Sequence, residues 1–355
     1  MSNSFMIAVV AVSLGTFILE LLMLIKSQHK ITLKQTAINV SLGFFDRLVG
    51  LYLTERALYL VSELASKRSF VFPDEPWVFI LTFFAVDLVW YVFHYLGHRV
   101  SIMWSIHLVH HQSEEYNLSV NFALSPLGFT VRAFLYAGLV LMGLPYEYVL
   151  MSIYVNHFYQ YYLHTEFLDT IPILEKFLVM PVHHKVHHAS DEHYLDKNYG
   201  GVFIIWDKLF GTFADKTTQP TYGLTTSLPQ KDLVNIQLFF FKKLYQNFGQ
   251  FGFKEGVRLL FAGPEEQTPE IPKVVPLVTR ITLPKIIIGG IIYLVSYVVI
   301  LQASSLLVIV AGVLLSFMSI LMVNGVRTER GDAAYRRFTK ENPNSAFAKF
   351  VKSIA

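Results

Sequence analysis

"HYLGHRVSIMWSIHLVHH", residues 94–111, carries five histidines, and its last word returns downstream as "HKVHH", residues 184–188. Residues four apart on a helix share a face, so His94 and His98 present two imidazoles side by side. His107, His110 and His111 take i, i+3, i+4 spacing, and His184, His187 and His188 repeat it. A lone histidine in a greasy chain reads as an interfacial residue; eight in three matching words read as metal ligands. The chain contains no cysteine, which removes thiolate sites and disulfides and leaves any metal to histidine or carboxylate. Eight or nine nitrogens exceed the roughly four to six ligands of one ion, so the words predict a pair of metals. Spacing alone does not name the element: a structural zinc site closes with four ligands, and imidazole suits iron and copper equally.

Between the words, "NHFYQYYLHTE", residues 156–166, places His157, Gln160 and His164 on one helical face. His164 is a ninth candidate ligand and Gln160 a candidate partner for a metal-bound water. His157, deeper in the helix, reads as a packed residue or a support for the ligands. His183, beside the last triplet, and Glu166, beside His164, are further supporting candidates. Asp87, Tyr91, His94 and His98 form one stripe. A carboxylate inside a span is costly, so Asp87 reads either as the acceptor of a metal-bound imidazole N–H or as the ion-pair partner of Arg47 or Arg132. In "DEHYLDKNYGG", residues 191–201, Asp196 and Asn198, with Asp191 and Lys197, stand next to the last word, to close the site or meet headgroups; otherwise the stretch is a turn held by Gly200 and Gly201. "IIWDKLFGTF", residues 204–213, suits a short interfacial helix packed under the site. Glu114 and Glu115 read as solvated, and His29 as interfacial.

Hydrophobic residues make up 53% of the 355, charged residues 15%, and the mean hydropathy is +0.44, which is membrane-protein composition. Thirty Phe, 19 Tyr and 4 Trp suit lipid-facing surfaces and interface belts. A net charge of +3 from 29 basic and 26 acidic residues is too small and dispersed for a nucleic-acid footprint. The apolar stretch at residues 4–25 lacks the basic start and cleavage site of a secretory signal and reads as a retained first span. Further spans are expected at 37–62, 77–96, 126–143, 146–165, 285–302 and 304–324. The second is the weakest, because it carries Asp46, Arg47, Glu55 and Arg56.

Lys26, Lys30 and Lys34 after the first span, and the basic tail from Arg327 to Lys352, place those ends in the cytosol. Seven spans with the N-terminus outside satisfy both, although Lys67 and Arg68 then fall on the outer side. The expected fold is an all-α integral membrane protein, a multi-span helical bundle with a cytosolic, histidine-rich di-metal cap, in the bacterial inner membrane or the endoplasmic reticulum. Four segments follow: 1–76, N-terminal spans; 77–215, histidine-rich core with spans; 216–284, a cytosolic connector; 285–355, a C-terminal membrane hairpin and basic tail. The connector would contain one surface helix over 233–261 and a Pro-rich linker over 264–276.

These words, in this order from about Asp87 to Phe213, resemble the fatty acid hydroxylase and sterol desaturase superfamily of integral-membrane di-iron enzymes. "HHQSEEYNLS", "YQYYLHTE", "HHKVHH" and "DKNYGGVFIIWDKLFGTF" are similar to its alkylglycerol monooxygenase branch, which cleaves ether lipids with tetrahydrobiopterin. The chain departs from that branch at Tyr95, where an Arg is usual, at Arg99, where an acidic residue is usual, and at "VNFALS" after "NLS". The resemblance implies that His94, His98, His107, His110, His111, His164, His184, His187 and His188 hold two irons. These would activate dioxygen against an unactivated C–H bond of a membrane lipid, giving hydroxylation or desaturation. Electrons would come from outside the chain, from tetrahydrobiopterin or from a separate reductase of the ferredoxin or cytochrome b5 type. Two other readings stay open at this point. One is a zinc-dependent membrane hydrolase, although no HExxH word is present. The other is a metal transporter, although transport sites usually lie at the bilayer midplane.

Overall fold

The computed structural model describes residues 3–27, 32–45, 50–65, 71–125, 127–226, 228, 233–267, 288, 291, 292 and 295. Among these, eleven α-helices appear: α1 (Asn3–Lys26), α2 (Leu33–Phe45), α3 (Leu51–Ala65), α4 (Pro76–Arg99), α5 (Ser101–His111), α6 (Gly128–Leu141), α7 (Tyr146–Leu163), α8 (Pro181–His187), α9 (Ile205–Phe210), α10 (Leu233–Phe251) and α11 (Phe253–Phe261). No strand occurs among the described residues; two isolated bridges, Leu178 with Phe203 and Ala189 with Tyr222, tie the loops around α8.

Pro76 opens α4 at its first turn, where the missing N–H costs nothing. The helix stops at Val100, a single extended residue with φ −127° and ψ 120°, and α5 starts at once with Ser101. The Ser101 N–H donates to the Ala262 carbonyl at 2.9 Å, which anchors this corner to the end of α11. The corner lays α5 against α4, and Gly97 makes the approach possible: a Cβ there would stand 3.2 Å from His107 Cγ.

Two apolar cores flank the histidine words. Leu58, Val78, Val86, Tyr136, Val140, Val149 and Ile153 join α3, α4, α6 and α7. Ile38, Leu42, Leu108, Val109, Ile236, Phe239, Phe240 and Leu244 join α2, α5 and α10. Helix α5 therefore has two committed sides, with Leu108 and Val109 toward α10 and its histidines turned away from it.

Several expectations change. Among the described residues one helix, α4, is long and apolar enough to cross a membrane, and α6 is apolar but shorter. At about 1.5 Å per residue α6 runs about 21 Å, short of the ~30 Å hydrocarbon core. The stretch expected as a span over 37–62 belongs to two helices, α2 and α3. The single helix expected over 233–261 is broken at Gly252, where φ is +80°. Its first half is a core helix rather than a surface one, because Phe239 and Phe240 bury against α5. The spans at 304–324 and nearly all of 285–302, the linker from 268 on, the basic tail, His29, Lys30, Arg47, Lys67 and Arg68 lie outside the described residues.

Candidate metal centre

All nine predicted histidines come together, in two groups. His94, His98, His107, His111 and His187 form one; His110, His164, His184 and His188 form the other; within each group one ring nitrogen per residue lies within 4.8 Å of the rest. The words do not map one to each group. His107 and His111, one turn apart on α5, enter the first while His110 enters the second; α8 gives His187 to the first and His184 and His188 to the second. His164 reaches the second group from the C-terminal cap of α7.

In the second group the Nε2 atoms close a ring. The four edges are His110–His164 at 3.2 Å, His164–His184 at 3.0 Å, His184–His188 at 3.1 Å and His188–His110 at 3.1 Å. A ring of that size has its centre about 2 Å from each nitrogen, the distance at which imidazole binds a divalent ion (about 2.0–2.1 Å for zinc). In the first group His111 Nε2 lies 3.1 Å from His107 Nε2, 3.2 Å from His98 Nε2 and 3.2 Å from His187 Nε2.

The far sides of the rings fix which nitrogen is a lone pair. Nδ1–H of His94 donates to the Tyr199 carbonyl at 2.8 Å, that of His187 to the Lys197 carbonyl at 2.9 Å, and that of His164 to the Gln160 carbonyl at 2.9 Å. A carbonyl only accepts, so each of these rings carries its proton on Nδ1 and turns a bare Nε2 inward. His94 Nε2 is buried with no hydrogen-bond partner among the described residues. Converging lone pairs repel one another unless a cation sits among them, so this donor set fits a metal in each group. Burial, and after it the neighbouring imidazoles, pushes His107, His111, His184, His187 and His188 well below the ordinary histidine value of 6.5. All five are thus held in the neutral form a metal requires.

The supporting candidates divide. None of the hydrogen bonds Asp87 accepts comes from an imidazole; of its two candidate ion partners, Arg132 lies over the rings of Trp90 and Phe93 at 5.9 and 5.5 Å, and Arg47 lies outside the described residues. Its carboxylate instead accepts Val202 N–H at 2.8 Å, Phe203 N–H at 3.0 Å, Trp206 Nε1–H at 2.9 Å and Asn156 Nδ2–H at 2.6 Å. Gly201 is pressed against this carboxylate, since a Cβ on it would meet Asp87 Oδ1 at 2.7 Å. Gly201 is therefore a close approach to α4, and Gly200, where a Cβ would meet Asp207 Oδ2 at 2.9 Å, a close approach to α9. Asp207, on the short helix expected to pack under the site, is buried. It accepts the N–H groups of Tyr199 at 2.7 Å and Gly200 at 2.8 Å. Two carboxylates thus hold the short segment whose Tyr199 carbonyl orients His94.

Asp196 pairs with Arg99, and its other oxygen stands 3.8 Å from His98 Nδ1. Asn198 binds the His183 and Ala214 carbonyls through Nδ2 at 3.1 and 2.8 Å. Both residues have positive φ, 61° and 56°, a region that Asp and Asn tolerate better than most. His183 accepts the Met180 N–H at 3.1 Å and faces Phe213 rather than the nitrogens. The Gln160 side chain bonds Asn156, and His157 Nδ1 bonds the Ile153 carbonyl at 2.8 Å with its ring against Trp90. Neither side chain joins the two nitrogen groups. Glu166 stands 3.5 Å from the Lys185 ammonium, which also bonds Asp169 at 2.7 Å. Glu115, expected in solvent, is buried and accepts the Thr32 N–H at 3.1 Å and hydroxyl at 2.9 Å.

Sequence reading missed the carbonyls of Tyr199, Lys197 and Gln160, because a backbone acceptor has no side-chain signature. It also missed the aromatic wall. The Tyr199 ring lies 5.2–5.7 Å from His94, His98 and His187, and Trp104 lies 5.2 Å from His98.

Residues 79–212 match the fatty acid hydroxylase family model. Alkylglycerol monooxygenase of Homo sapiens is 36% identical over 231 residues, 64% of this chain and 51% of that protein. The Danio rerio alkylglycerol monooxygenase is 33% identical over 231 residues, again 64% and 51% of the two chains. That of Xenopus tropicalis is 34% identical over 194 residues, 54% of this chain and 43% of that protein. The chain spans about half the length of the curated relatives it matches. No solved structure matches significantly. Residues 79–212 thus carry a segment that matches the fatty acid hydroxylase family, and through this histidine-bearing part the chain is similar to the alkylglycerol monooxygenases.

Proposed function

We propose that the protein is a membrane-bound non-haem di-iron enzyme that oxidises an unactivated C–H bond of a membrane lipid with dioxygen. The observation that carries this reading is the pair of buried, all-imidazole nitrogen groups within the fatty acid hydroxylase segment. Within that class, hydroxylation next to an ether oxygen, with cleavage of a glyceryl ether, follows the alkylglycerol monooxygenase relatives. Iron in both groups supplies the redox chemistry with dioxygen, which zinc cannot.

The chain's own residues do the rest. The carbonyls of Tyr199, Lys197 and Gln160 fix the orientation and tautomer of three imidazoles. Burial keeps water from the nitrogen groups, and the rings of Tyr199 and Trp104 wall the first of them. Electrons come from a separate donor, a reduced pterin or a reductase. A membrane-crossing α4 with its histidine-bearing end on the cytosolic face is the topology proposed; Lys26 closes α1, and His98 and Arg99 close α4.

The test is elemental analysis of protein purified anaerobically in mild detergent, followed by assay of glyceryl ethers with dioxygen and reduced tetrahydrobiopterin. Two irons per chain and oxygen-dependent turnover, both lost when His187 and His188 are changed to Ala, are expected. Native stoichiometric zinc with oxygen-independent ester cleavage would move the protein to the hydrolase reading. Metal uptake into vesicles without lipid oxidation would move it to the transporter.

A further inference from the structure

The segment around α9, read from the sequence as a short interfacial helix, lies along the side of α4. Phe203 stacks on Phe84 with ring centroids 4.4 Å apart, and Phe210 stacks on Tyr91 at 5.3 Å. Tyr91 and Phe84 stand about 12 and 22 Å along α4 from Arg99 at about 1.5 Å per residue, within reach of a hydrocarbon core ~30 Å thick. The 171–177 loop is joined to this segment. Leu178 bridges Phe203, and the Ile204 N–H donates to the Phe177 carbonyl at 3.0 Å.

The outward side chains of the joined loops are apolar. Ile173 is 75% exposed, Phe177 65%, Leu209 66% and Phe210 55%. A cluster of that kind facing water would be a large exposed apolar patch, which marks an interaction surface. We infer that residues 171–177 and 203–210 form an apolar wedge sunk among the acyl chains of the bilayer beside α4.

Three observations favour lipid as the occupant. First, the wedge continues the exposed stripe of α4 at Trp77, Ile80, Leu81 and Phe84, so whatever solvates that stripe meets the wedge at its edge. Second, non-helical backbone is tolerated at membrane depth only when its polar groups are satisfied within the protein. Here the N–H groups of Tyr199 and Gly200 end on Asp207, and those of Val202 and Phe203 end on Asp87. Third, the only exposed charges on these two stretches are cationic. Lys176 and Lys208 lie together, the Lys208 ammonium bonding the Lys176 carbonyl at 2.8 Å, and long lysine stems let ammonium groups rise to anionic headgroups. The wedge rests on the reading of α4 as a membrane-crossing helix.

The chain has no cysteine, so single-cysteine labelling of the full-length protein needs no background changes. Ile173→Cys and Leu209→Cys, with Ile80→Cys on α4 and Glu192→Cys on the exposed loop as references, would each carry a bimane label in phosphatidylcholine nanodiscs. All four positions are exposed, so the substitutions leave the packed interior intact. Labels at Ile173 and Leu209 are expected to be quenched by acyl-brominated lipid as strongly as the label at Ile80, and several-fold less by aqueous iodide than the label at Glu192. Iodide quenching at both, with lipid quenching kept at Ile80, would overturn the wedge alone. Protection from both quenchers would overturn it in favour of a second copy or another part of this chain as the cover. Iodide quenching at Ile80 as well would overturn the crossing of α4 and the wedge with it.

Discussion

At the scale of single residues, the two nitrogen groups depend on side chains that belong to neither of them. Asp87 satisfies four buried or part-buried donors, two of them backbone N–H groups of the segment that carries the Tyr199 carbonyl. A buried donor left without its acceptor costs about 1–3 kcal/mol. Asp87→Ala should therefore destabilise the fold by several kcal/mol and release metal from the first group before the second, read by thermal unfolding and metal content. Unchanged stability and full metal retention would remove the role given to this carboxylate. The neutral imidazoles set a pH dependence of definite sign. His107, His111, His184, His187 and His188 have folded values well below 6.5, so as pH falls through about 6.5 the unfolded chain takes up protons that the folded one refuses. Above that value both states are neutral and the term vanishes. The metal-free protein should lose stability steadily from about pH 7 toward pH 5, seen as a falling denaturation midpoint; a flat profile would contradict the burial of these rings.

At the scale of elements, α5 and α8 are shared between two sites. One turn separates His107 from His111, and both point into the first group, while His110 is turned into the second. The same helix uses Leu108 and Val109 to hold α10, so rotating it to favour one site would unpack the other side. This division makes a prediction that no single-site arrangement makes. His111→Ala should lower metal content chiefly in the first group and His188→Ala chiefly in the second, each variant retaining about half the metal. Elemental analysis with metal-specific spectroscopy on both variants checks it; identical losses would mean that the two groups bind as one. Val100 is the other device at this scale. One extended residue between α4 and α5 brings His94 and His107 to ring centroids 4.7 Å apart, with Gly97 leaving the space.

At the scale of the molecule, the span end, the histidine groups and the loops of α8 and α9 are held on one side of α4. Proline and acidic residues, Pro73, Asp74 and Glu75, stand at its other end. The topology proposed above puts these ends on opposite sides of the membrane. Glu192→Cys should therefore react with an impermeant maleimide only from the cytosolic face and Glu75→Cys only from the other, in sealed vesicles of known orientation. Labelling of both from one side would end the reading of α4 as a crossing helix.

That the nine imidazoles gather was legible because helical periodicity is local: residues four apart share a face whatever the rest of the chain does. The membrane class was legible too, since hydropathy is additive along the chain. Which imidazole joins which group was not, because His110 and His111 are neighbours in sequence and their separation depends on which neighbour each side of α5 meets. Nor were the three carbonyls that orient His94, His164 and His187, since every residue carries a carbonyl and only packing selects one. Asp87 and Asp207 show the same limit. Their sequence context suggested an imidazole acceptor or an ion pair for the first and no particular partner for the second, and the fold turns both onto a single stretch of backbone, Tyr199 to Phe203, that would otherwise be buried with its donors unmet. The inventory of gathered imidazoles was thus written in the sequence. Its partition and support were decided by tertiary structure, because they rest on long-range contacts between backbone and side-chain groups that local pattern does not encode.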